Sequence, residues 1–426
     1  MLGFVQNWFA SRANPIGVDF GSDCLRLAQV QFNNNEYRLI AAASADVPSH
    51  VRHNPQARLE FFVDTTRDLL AQGNFRSRQA VLSLPASSMF IQHLRMVRMD
   101  EAETRKALAW EARGKLPIDP SQALLRHLIA GEVYQDQEPR NEVIVIAAAK
   151  EYVNQFLASA AKARLDVVGM NVEPKAIVDC FSHVYHRKAD AGATTLFLDI
   201  GLTGSRALIA RDDLVLFARV IPVGGEHFNT AVAHALRLNI DQAKLLRLQM
   251  ASTPPSSNEK PQAPQRAEDD VNLQQAMPLL GSALPHAPAP AEAPAASTAP
   301  ADPMAAEMAA KSQAIDRACQ EPLNRLIQEL DLCRRYYEST FPSKPVDRII
   351  FIGGEARQRS LCQNIAREMG LAAQLGDPLV RMNRVSDVGI ESGIDRRYPQ
   401  PGWTVAVGLS LGPAATAAPA KSGAAG

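Results

Sequence analysis

No run of apolar residues in this 426-residue chain approaches the roughly 18 to 20 that a helix needs to cross a bilayer, so no segment reads as membrane-spanning. An excess of charge is also missing. The 45 Lys and Arg residues balance 45 Asp and Glu, which leaves no bulk field for nucleic acid or anionic lipid, and nucleic acid is not expected as a partner. The five cysteines (Cys24, Cys180, Cys319, Cys333, Cys362) are scattered, odd in number and without a C-x-x-C pair. That excludes a disulfide framework or zinc finger and suits a reducing cytoplasm. The first ten residues, MLGFVQNWFA, lack the basic start and longer apolar core of a secretion signal. Residues 1–15 read as an arm packed on the chain's own domain or on a partner, with a short interfacial helix as the alternative. Aromatics are modest at 6 %, but 46 % apolar and 21 % charged residues describe a globular chain, long enough for two domains.

What is present is a series of three motifs: GVDFGSDCLRLAQV at 17–30, FLDIGLTGSRALIA at 197–210 and RIIFIGGEARQRSL at 348–361. The first two each read as an apolar strand that ends in Asp-x-Gly and re-enters a strand. Gly21 and Gly201 permit the backbone angles and close approach that let successive N–H groups point at phosphate oxygens. Asp19 and Asp199 would repel bare phosphate but suit Mg²⁺, held directly or through water. In the third, the apolar run Ile349–Ile352 closes on Gly353 and Gly354, where a flat base has room, before a helix over 355–369. A single Asp-x-Gly turn is common and usually structural. Two matched turns followed by the Gly-Gly strand point to two facing halves around a phosphate-bearing ligand.

Between the motifs the chain alternates strands and helices. Residues 56–72 have helical apolar spacing, and 79–87 read as a buried strand. Asn33–Asn35 suggest a hairpin turn. Asp100 with Glu103 forms a capping-box signature for a helix over 100–113, with Leu108 and the Trp110 ring expected to face inward. KLPIDP then gives a rigid loop before a strand over 124–133. The run at 143–149 reads as a strand buried on both faces, followed by a helix over 150–163. Glu173 reads as a solvent-facing or helix-capping acid, and Cys24, inside the first turn, as a mild oxidation liability. Gly224, Gly225 and Glu226 open a helix whose N-terminal amides are expected to face the ligand. Eleven of the 28 prolines and no aromatic residue fall in 251–310, a disordered insert with one apolar patch at 277–285, after which a helix resumes near Ala314. Residues 413–426 read as a disordered tail.

The order and form of the three motifs resemble the phosphate-1, phosphate-2 and adenosine motifs of the actin-like ATPase superfamily. Within it, the stretches at 106–120, 143–177, 220–229, 236–248 and 402–412 are most similar to the PilM-type type IV pilus assembly proteins. The resemblance implies an α/β, actin-like two-domain fold, with ribonuclease-H-like halves around a nucleotide cleft and an inserted small α+β subdomain. The first domain would span 16–190 with the insertion near 85–145, and the second 191–412, interrupted at 251–311. It implies ATP and Mg²⁺ as ligands. Asp19, Gly21, Ser22, Asp23, Arg26, Asp199, Gly201, Thr203, Gly204, Gly224, Gly225 and Glu226 would surround the phosphates and metal waters, and Lys244, Gly353, Gly354 and Glu355 the adenosine. The implied partners are the cytoplasmic N-terminal tail of a PilN-type bitopic membrane protein, docking near Leu116, Pro117 and Ile118, the pilus motor ATPases, and, as an open alternative, a second copy of the chain. The protein would sit at the cytoplasmic face of the inner membrane through those partners.

This chain carries Arg26 where the family often has Lys, and Asp23 where Ser or Thr is commoner. A guanidinium grips phosphate as a planar fork, whereas an added carboxylate repels it. Weak or slow ATPase activity is therefore expected, with binding mattering more than turnover. Related cell-division or type II secretion actin-like proteins remain open as readings. So does a sugar-kinase-like phosphotransferase, although no catalytic aspartate for one is evident.

Overall fold

The computed structural model describes residues 13–33, 36–182, 192–252, 303–384 and 394–412. Most of the N-terminal arm, residues 34–35 of the expected hairpin turn, residues 253–302 of the expected insert with its apolar patch at 277–285, and the tail at 413–426 lie outside the described residues.

The chain opens with β1 (Ile16–Phe20), β2 (Cys24–Asn33) and β3 (Glu36–Asp46), an antiparallel meander, followed after a one-turn helix by α1 (Pro55–Gln72) and β4 (Gln79–Ser83). Asn54 caps α1, its side-chain oxygen accepting from the Ala57 amide at 3.1 Å, and Pro55 starts the helix where its missing N–H costs nothing. Next come β5 (Met89–Val97), α2 (Glu101–Glu111), β6 (Ala123–Gln135) and β7 (Glu138–Ala149), which form a three-stranded antiparallel sheet in the order β5-β7-β6 with α2 upon it. The predicted capping box is complete: Glu103 N–H donates to Asp100 at 2.8 Å and Asp100 N–H to Glu103 at 3.4 Å. Leu108 packs inward with Leu94, Met96 and Val143, but Trp110 is 71 % exposed, with the Arg113 guanidinium 5.1 Å from its ring. The inward placement of Trp110 fails because two residues turn a helix by about 200°, so Leu108 and Trp110 cannot share a face.

The chain returns through α3 (Lys150–Lys162), β8 (Asp166–Asn171) and α4 (Glu173–Ser182). A second set follows: β9 (Thr194–Ile200), β10 (Ser205–Arg211), β11 (Leu214–Ile221), α5 (Gly225–Leu236) and α6 (Ile240–Ser252). Then come α7 (Pro303–Thr340), β12 (Arg348–Ile352), α8 (Arg359–Met369), β13 (Ala372–Leu375), β14 (Met382–Arg384) and α9 (Thr404–Leu411). Helix α7 begins at Pro303, ahead of the start expected near Ala314. The Ala- and Met-rich stretch after Pro303 has strong helix propensity, and proline is tolerated in a first turn.

Two larger sheets result, in the orders β14-β3-β2-β1-β4-β8 and β11-β10-β9-β12-β13. Each is centred on a strand that pairs antiparallel with the strand after its Asp-x-Gly turn and parallel with a later strand. The register repeats as well: Asp19 lies opposite Arg26, and Asp199 opposite Arg206. Helix α9, late in the chain, is buried against β1, β2 and α4, and Ser410 Oγ donates to Pro15 O at 2.8 Å while accepting from Val30 N–H at 2.9 Å. The second half is thereby tied back onto the first.

The three-stranded sheet is pinned to the second half by a buried polar knot. Glu142, fully buried, accepts from the Tyr336 hydroxyl at 2.7 Å and lies 3.0 Å from His93 Nδ1 and 3.4 Å from Arg95 Nε. The other nitrogen of His93 is 3.2 Å from Ala218 O in β11. Burial pushes the Glu142 carboxyl upward, yet the His93 and Tyr336 hydrogen bonds and the charges of His93 and Arg95 outweigh it and hold the group below the ordinary glutamate value.

Candidate nucleotide site

The two Asp-x-Gly turns face each other across a cavity of about 280 Å³, close to the lower end of ligand pockets. It is lined by Asp19, Gly21, Ser22, Asp23 and Arg26 from the first turn and β2, by Asp199, Gly201, Thr203 and Gly204 from the second, and by Gly353, Gly354 and Glu355 after β12. Twelve of the expected residues are therefore brought together. Gly224, Gly225, Glu226 and Lys244 do not line it.

Each turn is closed by the same hydrogen bond, from Gly21 N–H to Cys24 O and from Gly201 N–H to Gly204 O, both at 3.1 Å. The next amides are left over: those of Ser22, Asp23, Thr203 and Gly204 donate to no group among the described residues. Backbone donors gathered in turns beside a cavity make a place for anion oxygens. Arg58 braces the first turn from behind, Nη2 donating to Gly21 O at 2.9 Å, with its guanidinium 4.4 Å from the Phe20 ring. Arg26, in the cavity wall, makes no side-chain hydrogen bond or ion pair with any described residue, so its fork is available to an anion.

The N-terminus of α5 is arranged differently from the expectation. Gly225 N–H donates to Gly201 O at 2.9 Å and Glu226 N–H to Leu202 O at 2.8 Å, so these amides hold the second turn instead of facing a ligand. The approach is so close that a Cβ on Gly224 would lie 2.5 Å from Gly204 N and 2.6 Å from Gly201 O. The Glu226 carboxylate instead pairs with His53 of the first half at 3.2 Å. Lys244, on α6, also reaches across the cleft, its Nζ 3.1 Å from Asp23, which pairs with Arg52 at 3.1 Å as well. The unusual carboxylate in the first turn is thus balanced by two protein cations.

At the end of β12, Gly353 adopts φ +91°, and a Cβ there would meet Asp199 Oδ1 at 2.3 Å; Gly354 has nothing within 4 Å of where its Cβ would stand. The strand end therefore passes beside Asp199 at a position only glycine can occupy, and leaves open space at Gly354. Glu355 is buried and committed to Arg247, which is itself fully buried: Nη2 donates to Glu355 at 2.6 Å, Nε to Asn229 at 2.9 Å, and Nη1 to Gln358. The helix expected over 355–369 is a 3-10 turn at Glu355–Arg357 and then α8.

Two residues that sequence reasoning did not assign stand at the centre. Arg206 Nε and Nη2 donate to Asp199 Oδ2 at 3.0 and 2.6 Å, and Nη1 to Glu173 Oε2 at 2.8 Å. Glu173 is only 2 % exposed, so its reading as a solvent-facing acid is corrected: α4 carries it inward to meet Arg206. Burial raises its carboxyl to about 8 against the pull of Arg206, and raises Asp19 to about 6 against Arg26 and Arg206. Burial also pushes the Cys24 thiol up to about 11, which disfavours the thiolate form that oxidation requires. The spacing was a usable signal for Arg206, which follows Asp199 by the same interval as Arg26 follows Asp19.

The turn amides and Arg26, without partners among the described residues, and the open side of Gly354 fit a nucleotide. The residues do not fit Mg²⁺ in the same way. One Asp199 oxygen is taken by Arg206, and among the described residues no three His, Cys, Asp or Glu side chains gather as a metal-holding group.

Comparison with known proteins gives this geometry a lineage. The family model described as type IV pilus assembly protein PilM matches residues 17–268, and that of cell division protein FtsA matches residues 196–408. No curated protein sequence matches the chain. A solved PilM–PilN type IV pilus biogenesis complex is similar with a TM-score of 0.66 and 19 % identity, over 93 % of this chain and 98 % of that one. Ethanolamine utilization protein EutJ from Carboxydothermus hydrogenoformans follows at 0.46 and 11 % identity, over 94 % and 89 % of the two chains. MreB5 of Spiroplasma citri bound to ADP is at 0.42 and 13 % identity, over 94 % and 95 %. With an actin-like fold and a PilM match over more than half its length, the chain belongs to the PilM family of type IV pilus assembly proteins, and its second half is FtsA-like in sequence.

Proposed function

We propose that this chain is a nucleotide-binding scaffold of type IV pilus biogenesis, in which ATP in the cleft sets the relative closure of the two halves and that closure sets a surface for the cytoplasmic N-terminal tail of a PilN-type inner-membrane protein. The observation that carries the reading is the pair of facing turns, whose amides at Ser22, Asp23, Thr203 and Gly204, left over among the described residues, stand in the same cavity wall as the Arg26 guanidinium. In this reading those amides and Arg26 hold the phosphates, and Gly353 and Gly354 lie against the base. Lys244 and Glu226 are the parts of the second half that sense closure, through Asp23 and His53.

Turnover is slow in this reading. The carboxylate of Asp199 is held by Arg206, and Glu173 is protonated near neutrality, so neither is a ready base for water. Binding acts instead by differential affinity for the open and closed states. The small sheet receives the signal through His93 and Glu142, which meet β11 and α7 of the second half. The tail would dock beside α2, where exposed Trp110 and Pro117 adjoin half-buried Leu116 and Ile118. Tethered this way, the protein works at the cytoplasmic face of the inner membrane, alongside the pilus motor ATPases. The PilN named in the complex with the PilM relative supports this choice of partner.

The test is calorimetric titration of the ATP-loaded protein with a synthetic peptide of the cytoplasmic tail of the same cell's PilN-type protein. Saturable binding at micromolar affinity or tighter is expected. No binding, with nucleotide loading confirmed, refutes the scaffold.

A further inference from the structure

The place where two aspartates would hold metal water already contains a cation. Arg206 faces Asp199 across the β9–β10 ladder and bridges it to Glu173 with three hydrogen bonds between 2.6 and 3.0 Å. A guanidinium has five N–H groups, so two remain, one on Nη1 and one on Nη2. The side chain keeps 20 % of its surface exposed and lines the cavity, and Nη2 is 3.9 Å from where a Cβ on Gly201 would stand. The remaining donors are therefore placed beside the second phosphate turn.

The two hairpins make a controlled comparison within one molecule. Arg26 occupies the same register position opposite Asp19 but has no ion pair within the described residues, while Arg206 is tied to two acids. In the cavity wall, Asp19 and Asp199 stand against Arg26 and Arg206, so the protein's own cations balance these two carboxylates before any ion arrives. At Asp199, a divalent cation would have to compete with the Arg206 guanidinium for the carboxylate.

We propose that Arg206 takes the place of the divalent cation, so that the cleft binds the nucleotide's phosphates between Arg206 and Arg26 with no requirement for Mg²⁺. The inference rests on the nucleotide-binding reading of the cleft and specifies it. Arg206 acts here as a fixed countercharge, positioned by Asp199 and Glu173, and its geometry is set before ligand arrives.

The experiment titrates the full-length, nucleotide-stripped protein with a fluorescent ATP analogue, once in excess EDTA and once in excess Mg²⁺. For the wild type, the two dissociation constants are expected to agree within about threefold. Arg206→Gln, which removes the charge but keeps a polar side chain, is expected to lose about tenfold or more in EDTA and to recover part of that loss in Mg²⁺. A wild type that loses about tenfold or more in EDTA overturns the proposal, and the wild-type comparison decides even if the variant does not fold. An Arg206→Gln protein that folds and binds equally tightly in EDTA overturns it as well. Wild-type protein that binds the analogue in neither condition refutes the nucleotide reading beneath it.

Discussion

Replacing Glu173 with Gln removes a titratable group that the fold holds in its uncharged form. Its carboxyl is raised from 4.5 to about 8, chiefly by burial, against the opposing charge of Arg206. Between those two values the folded state binds more protons than the unfolded chain, so this group costs stability progressively as pH rises from about 4.5 to about 8. At about 1.4 kcal/mol per pKa unit, the shift amounts to on the order of 5 kcal/mol above pH 8 and on the order of 1 kcal/mol near pH 5.5. Gln has nearly the same shape and keeps an acceptor for Arg206, whose Nη1 is 2.8 Å from Glu173, so the charge is what the substitution chiefly removes. Urea unfolding of both proteins at about pH 5.5 and about pH 8.5 should therefore show the variant's relative stability rising by roughly 3 kcal/mol with pH. Contributions from Asp19 and other groups common to both proteins largely cancel in the difference. A difference that stays constant across the range, or that falls as pH rises, would refute the assignment of Glu173 as a buried, neutral acid.

Three further outcomes are expected. Arg26→Ala should remove one charge-assisted grip on phosphate, worth about 1.5 to 3 kcal/mol, and so weaken nucleotide affinity by roughly 10- to 100-fold; thermal shift checks this, since ligand at a hundred times its dissociation constant stabilises by about 2.7 kcal/mol. Trp110→Ala should weaken binding of the PilN-type tail by about 2 kcal/mol or more in calorimetry while leaving nucleotide affinity and melting temperature unchanged, because the ring is exposed. Gly353→Ala should destabilise the protein by about 2 kcal/mol or more in urea, because the position needs φ +91° and the new methyl would meet Asp199 Oδ1 at 2.3 Å; an unaltered unfolding midpoint would count against this strand-end geometry.

Features with local causes were legible in the sequence. The Asp-x-Gly turns, the capping box at Asp100 and Glu103 and the buried run at 143–149 each follow from chemistry within a few residues, and the structure contains all three. The start of α7 at Pro303 was equally local, but a proline-rich neighbourhood masked the helix-forming stretch that follows it. Trp110 was misplaced because a helix buries whichever face its neighbours cover, and that face was set by Leu94, Met96 and Val143 of the small sheet.

The sequence alone determined that two like hairpins and a Gly-Gly strand end exist, since turn type and strand pattern depend on neighbouring residues. Which charged groups meet was decided by tertiary structure. Glu173 becomes a buried acid because α4 delivers it to Arg206, and the amides of α5 are spent because the helix packs on the second turn. Arg26 and Arg206 share a sequence interval from their aspartates, yet among the described residues Arg26 has no ion pair while Arg206 is clamped. The physical reason is that a side chain's charge environment sums over every element packed against it, and those elements come from distant parts of the chain.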